Sequence, residues 1–103
     1  MKFEYAESQE ANSSSLKGYV TTTRNILTQI FGEPNYGESG DGKITVEWIL
    51  KFNNEHIATI YDWKQYELGT PALDEVYEWH IGGFSYEVVS MIQEAADKFA
   101  LGA

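Results

Sequence analysis

The stretch KITVEWILKF (43–52) decides the fold. Its apolar side chains alternate: Ile44, Val46, Trp48, Leu50 and Phe52 point one way, and Lys43, Thr45, Glu47 and Lys51 the other. A period of two marks a half-buried strand. Asn53-Asn54 follows, and asparagine tolerates the positive φ of a tight hairpin turn. The chain is therefore expected to return as a strand over His56 to Trp63. That strand is mixed on both faces, with Ile57, Thr59, Tyr61 and Trp63 set against Ala58, Ile60 and Asp62. A strand apolar on both sides is central or has one face at an interface. This predicts a homodimer or larger homo-oligomer.

Outward from the hairpin, Phe3 and Tyr5 alternate with polar neighbours and predict a short first strand. Residues 7–15 (ESQEANSSS) read as a polar loop or arm, and Leu16 to Val20 as a second short strand or turn. Thr21–Thr23 offers N-caps to a helix carrying Ile26, Leu27, Ile30 and Phe31, which Gly32 and Pro34 end. Residues 35–42 and 65–75 read as loops. Val76 to Ile81 predicts a further strand, broken by Gly82-Gly83. Ser85 then caps a last helix with Val88, Ile92, Ala95 and Phe99 on one face. The order is β(β)αβββα. It predicts one α+β domain over residues 1–103 with two layers: an antiparallel sheet of about 4–5 strands packed by two helices.

Hydrophobic residues make up 43% of the 103 residues, enough for a real core. There is no cysteine, so no disulfide framework and no thiolate zinc site. No apolar run approaches the ~20 residues of a membrane span. The polar start MKFEYAESQE does not resemble a secretory leader, so an intracellular protein is expected. A net charge of −9 argues against general DNA or RNA binding, which needs a basic face. The acids are scattered. Solubility is the ordinary reading of them, and attraction to a basic partner protein the sharper one.

No hydrolase, P-loop, dinucleotide or zinc-protease signature occurs, so an enzyme is not expected. Glu47, Asp62, Asp74 and Glu78 could pair as acid and base, but such pairs arise by chance in a chain with 16 acids. His56, His80 and Asp62 could assemble a metal site; the ordinary reading is one surface and one packed histidine. Trp48, Trp63 and Trp79, with Tyr61 and Tyr77, supply more aromatic surface than closing a small core requires, and aromatic faces stack flat ligands. Gly82-Gly83-Phe84-Ser85 leads from strand to helix and suits either phosphate capture or a plain capped turn. SSSLKG (13–18) suits an anion-binding nest or a linker. The cations Lys17, Arg24, Lys43, Lys51 and Lys64 lie near these stretches.

SSLKGYV (14–20), IFGEP (30–34), TVEW (45–48), ATIYDWK (58–64) and EWHIGG (78–83) together resemble a family of small proteins of bacteriophages and other large DNA viruses. That family is similar to the "sponge" proteins that sequester cyclic nucleotide signals of CBASS-type host defence. The resemblance implies a non-enzymatic homo-oligomer in the host cytoplasm that holds a cyclic di- or oligonucleotide intact, without cofactor or metal. It implies that Tyr19, Tyr61, Trp63 and Trp79 face bases, and that Lys17, Thr22, Lys64, Gly82 and Gly83 face phosphates. The rival expectations are an acidic inhibitor of a host nucleic-acid enzyme and a small virion or assembly protein.

Overall fold

The structure, a computed structural model, describes residues 2–64 and 68–102. Five strands form one antiparallel sheet: β1 (Phe3–Tyr5), β2 (Ser15–Thr23), β3 (Glu47–Phe52), β4 (His56–Tyr61) and β5 (Val76–Gly83). Their spatial order is β1-β3-β4-β5-β2. Two helices, α1 (Arg24–Phe31) and α2 (Glu87–Gly102), complete an α+β domain with the expected element order. None of the described helices is long and apolar enough to cross a membrane.

Local chemistry sets the element ends. Thr23 Oγ1 accepts from the Ile26 amide at 3.1 Å and starts α1. Gly32 ends it with φ 85°. Ser85 Oγ accepts from the Glu87 amide at 3.2 Å and starts α2. The β3–β4 turn places Asn53 and Asn54 at φ 53° and 59°. Those are the positive φ values the sequence anticipates.

Strand parity then builds the core. Val20, Trp48, Leu50, Phe52, Ala58, Ile60, Trp79 and Ile81 meet Leu27 and Phe31 of α1 and Val88, Ile92 and Ala95 of α2. Trp48 and Trp79 pack edge to face at its centre, centroids 5.5 Å apart. Both indole N–H groups are satisfied: Trp48 Nε1 donates to the Gly32 carbonyl at 2.8 Å, and Trp79 Nε1 to that of Thr22 at 3.1 Å.

Five expectations are corrected. The second strand is nine residues long, because Ser15 to Thr23 pairs with the whole of β5. The arm at 7–15 contains a 3₁₀ turn, Ser8–Ala11, which lies against β4 on the face opposite the helices. It is fastened there by Lys51 Nζ to Glu10 Oε1 at 2.6 Å. The strand at 43–53 begins only at Glu47, so Ile44 leaves the helix-facing row, and the return strand stops at Tyr61 rather than Trp63. Gly82 and Gly83 do not break β5 but complete it, each paired to β2 on one side and β4 on the other. Of the 65–75 loop, residues 65–67 lie outside the described residues.

Trp48 has no solvent exposure and carries one of the two core indoles. Trp48→Ala is expected to destabilise by about 3–5 kcal/mol, read from urea denaturation midpoints with unchanged m-value.

Candidate functional site

The helices cover one face of the sheet. The other face carries the odd positions of β3 and β4, the even positions of β5 and Tyr19 of β2. One row crosses four strands there: Glu47 is opposite Tyr61, Tyr61 opposite His80, and His80 opposite Tyr19. The His80 ring is the hub. Tyr19 meets it edge-on at 5.0 Å, Tyr61 lies tilted against it at 5.4 Å, and Trp63, just past β4, lies at 6.0 Å. Its Nδ1 is buried without a hydrogen-bond partner, and burial holds its pKa below the ordinary histidine value.

Beside this row is a groove of about 320 Å³. Tyr61, Trp63 and Glu47 line one side; Ser8, Ser14 and Ser15 from the N-terminal segment line the other. Gly82 forms part of its floor, where Thr59 Oγ1 already fills the space a side chain would take: a Cβ there would stand 2.6 Å from it. Lys43 Nζ and Lys64 Nζ approach the Trp63 ring at 5.8 and 5.7 Å. Lys17 does not line it; it donates to Ser15 Oγ at 2.7 Å and lies 5.1 Å over the ring of Tyr86, which precedes α2.

Behind the groove Asp62 is fully buried. Its carboxylate accepts from the Thr45 amide at 2.7 Å, the Thr45 hydroxyl at 2.5 Å and the Val46 amide at 3.1 Å. Thr70 Oγ1 donates to Thr45 Oγ1 at 2.7 Å and extends the network. Burial first, and the Asp62 charge second, push the Glu47 carboxyl up to about 7. Among the described residues no side chain or backbone group bonds that carboxyl. Burial, reinforced by the Glu47 charge, also raises the Tyr61 phenol.

The resemblance's site residues divide by strand parity. Tyr19, Tyr61, Trp63 and Gly82 share the uncovered face, with Lys64 beside Trp63, whereas Lys17 is directed toward Tyr86 at the start of α2. Trp79, Thr22 and Gly83 do not join them. Trp79 has no exposure and fills the core; Thr22 is buried on the helix side of β2; a Cβ on Gly83 would meet Val88 Cγ2 at 3.0 Å. Gly82 and Gly83 are locked into ladders on both sides, so their amides are not a phosphate cradle. His56 lies on the helix side, 3.4 Å from Glu87, and does not meet His80. Of the four acids considered as pairs, Glu47 and Asp62 are the ones that sense each other. Ile44 and Ser8 belong to the groove although nothing in the sequence marked them; the alternation broken at Ile49, apolar among polar neighbours, was the one available sign that this face is partly covered.

The raised Glu47 pKa has a definite sign. Between about pH 4.5 and 7 the folded chain keeps a proton that the unfolded chain releases. Stability therefore falls as pH rises through that window and levels off above it. The full shift corresponds to about 3 kcal/mol, which partial exposure to water reduces to about 1–2 kcal/mol. Glu47→Gln is expected to match the parent near pH 4 and to exceed it by that amount at pH 8, in denaturation curves taken across pH.

No protein-family model, curated protein or solved structure matches this chain.

Proposed function

We propose that this is a non-catalytic binding protein that sequesters a nucleotide in the groove on the uncovered sheet face. In the fuller form suggested by the resemblance to viral sponge proteins, the ligand is a cyclic di- or oligonucleotide immune signal held in the host cytoplasm. The observation that carries the reading is the gathering of Tyr19, Tyr61, Trp63 and His80 beside a groove of about 320 Å³. Ring faces at the solvent side of a sheet are how single-stranded nucleic-acid modules hold bases. Lys43 and Lys64 beside the Trp63 ring provide local positive charge within an acidic chain.

Two further features support it. Asp62 already accepts three hydrogen bonds and is sealed from solvent, so the Glu47–Asp62 pair is poorly suited to acid–base chemistry on a ligand. The groove is at the small end of ligand sites, which run from about 300 to 1,000 Å³. One groove suits one nucleotide unit. A ligand with two bases then calls for a second copy of the chain, in keeping with a homodimer or larger assembly.

Isothermal titration with cyclic mono-, di- and trinucleotides tests this. A bound ligand should be recovered chemically intact by mass spectrometry. Tyr61→Ala is expected to weaken binding by roughly 5- to 150-fold, since a stacked base is worth about 1–3 kcal/mol. Lys64→Ala should cost more at low salt than at high salt. Absence of binding at millimolar ligand would remove the reading and leave inhibition of a basic host protein as the next to test. Hydrolysed nucleotide would make the protein an enzyme.

A further inference from the structure

Among the described residues Glu47 is the one carboxyl that lines the groove, and nothing in the nucleotide reading yet uses it. It lies at the start of β3 on the uncovered face, half-buried, beside Tyr61. Side-chain carboxyls in such positions are normally hydrogen-bonded. The carboxylates of Asp62, Glu10 and Glu7 nearby all have partners. Asp62 is bound by Thr45 and Val46, Glu10 by Lys51, and Glu7 Oε2 by the Tyr36 hydroxyl at 3.2 Å. Glu47 among them is left to whatever enters the groove.

The chemistry of a base that stacks on Tyr61 or Trp63 follows. A carboxylate has two acceptor oxygens and no donor. It matches two adjacent N–H donors in one plane. Guanine presents that pair on its Watson–Crick edge, N1–H and the N2 amino group. Adenine presents one donor and one acceptor there, cytosine likewise, and uracil a single N–H between two carbonyls. A base with two donors also replaces the hydration that Glu47 loses in the groove. We propose that Glu47 selects a guanine base, its carboxylate accepting from N1–H and the N2 amino group while the ring stacks on the Tyr61–Trp63 wall.

This assignment rests on the nucleotide reading and deepens it. It also places the phosphates away from Glu47 and Asp62, toward the lysines beside Trp63. The bond requires the ionised carboxylate, whereas the free groove favours the neutral acid below about pH 7. Binding guanine therefore releases a proton, and affinity rises with pH. The titratable groups facing this side are Tyr61 and Asp62 at the end of β4, Glu78 and His80 of β5, Tyr19 of β2, Glu4 of β1, Tyr36 bridged to Glu47, Glu7 and Glu10 of the N-terminal segment, and Lys43, Lys51 and Lys64. Of these, His80 is already held below the ordinary histidine value, so it is neutral over the upper part of the range tested.

The experiment uses 3′,5′-cyclic mononucleotides and cyclic dinucleotides carrying guanine, hypoxanthine, adenine or uracil, titrated calorimetrically into the whole chain at pH 6, 7 and 8. Their phosphodiesters do not titrate in this range. The guanine ligands are expected to bind about 10- to 100-fold more tightly than the hypoxanthine ones, which lack the N2 amino group. Guanine affinity should rise about tenfold from pH 6 to pH 8, as the carboxyl passes through its pKa of about 7. Glu47→Gln should abolish both the preference and the pH slope, with thermal melting confirming that it folds. Equal binding of guanine and hypoxanthine overturns the assignment. So does tighter adenine binding with affinity falling as pH rises, which would mean a protonated Glu47 donating to adenine N1; in both cases the nucleotide reading survives. If no base binds at all, the nucleotide reading itself falls.

Discussion

The buried carboxylate of Asp62 is the constraint on which the site depends. A charge removed from water needs several donors directed at it, and the chain supplies them from the Thr45 amide and hydroxyl and the Val46 amide. Those bonds tie the segment before β3 to the end of β4. The tie fixes where β3 begins, and so which face Glu47 takes. It also sets Trp63, the next residue in the chain, beside the Tyr61 and His80 rings. The same negative charge is felt by Glu47 and helps to keep its carboxyl neutral. Geometry and electrostatics at the groove thus share one source.

The two faces of the sheet solve different problems. On one, α1 and α2 bury two tryptophans, and their indole N–H groups find backbone carbonyls. On the other, the short 3₁₀ turn and its flanks reach across, held by Glu10 and Lys51 and by Asn35. The Asn35 amide donates to the Ala6 and Ile49 carbonyls at 3.1 Å each and accepts from the Ile49 amide at 2.8 Å. It fills the place a strand backbone would occupy, which lets the chain leave β1 and cross to the uncovered side. Partial cover buries Ile49 but leaves the rings of Tyr19, Tyr61, Trp63 and His80 beside open volume.

Much of the architecture was legible in the sequence. The period of two from Val46 to Phe52, the Asn-Asn turn and the Thr23, Gly32 and Ser85 caps each carry their own local physics, and each is found where it was read. The site was legible only in part, for two reasons. A central strand is apolar on both sides, so periodicity shows that Trp79 and His80 face opposite ways without showing which way is solvent. A glycine pair reads as a break because it lacks side chains to pack. Here the glycines are demanded by neighbours in the sheet: Thr59 Oγ1 crowds Gly82, and Val88 and the Ile57 carbonyl crowd Gly83. The alternation of apolar residues runs back to Ile44 in the sequence, but Asp62 captures the backbone at Thr45 and Val46, and Ile44 turns to the groove.

The pairing of β2 with β5 has a consequence for how the molecule comes into being. Ser15 lies opposite Gly83 and Thr23 opposite Val76, so every rung of that ladder joins residues at least half the chain apart. Loop closure of this length precedes any reward from the contacts, and folds built on such pairings form slowly. The hairpin of β3 and β4 is local and has no such delay. On a ribosome, Tyr19 waits for His80 until the whole of β5 has emerged. The hairpin that carries Glu47 and Tyr61 is ready first, and the wall from β2 arrives last.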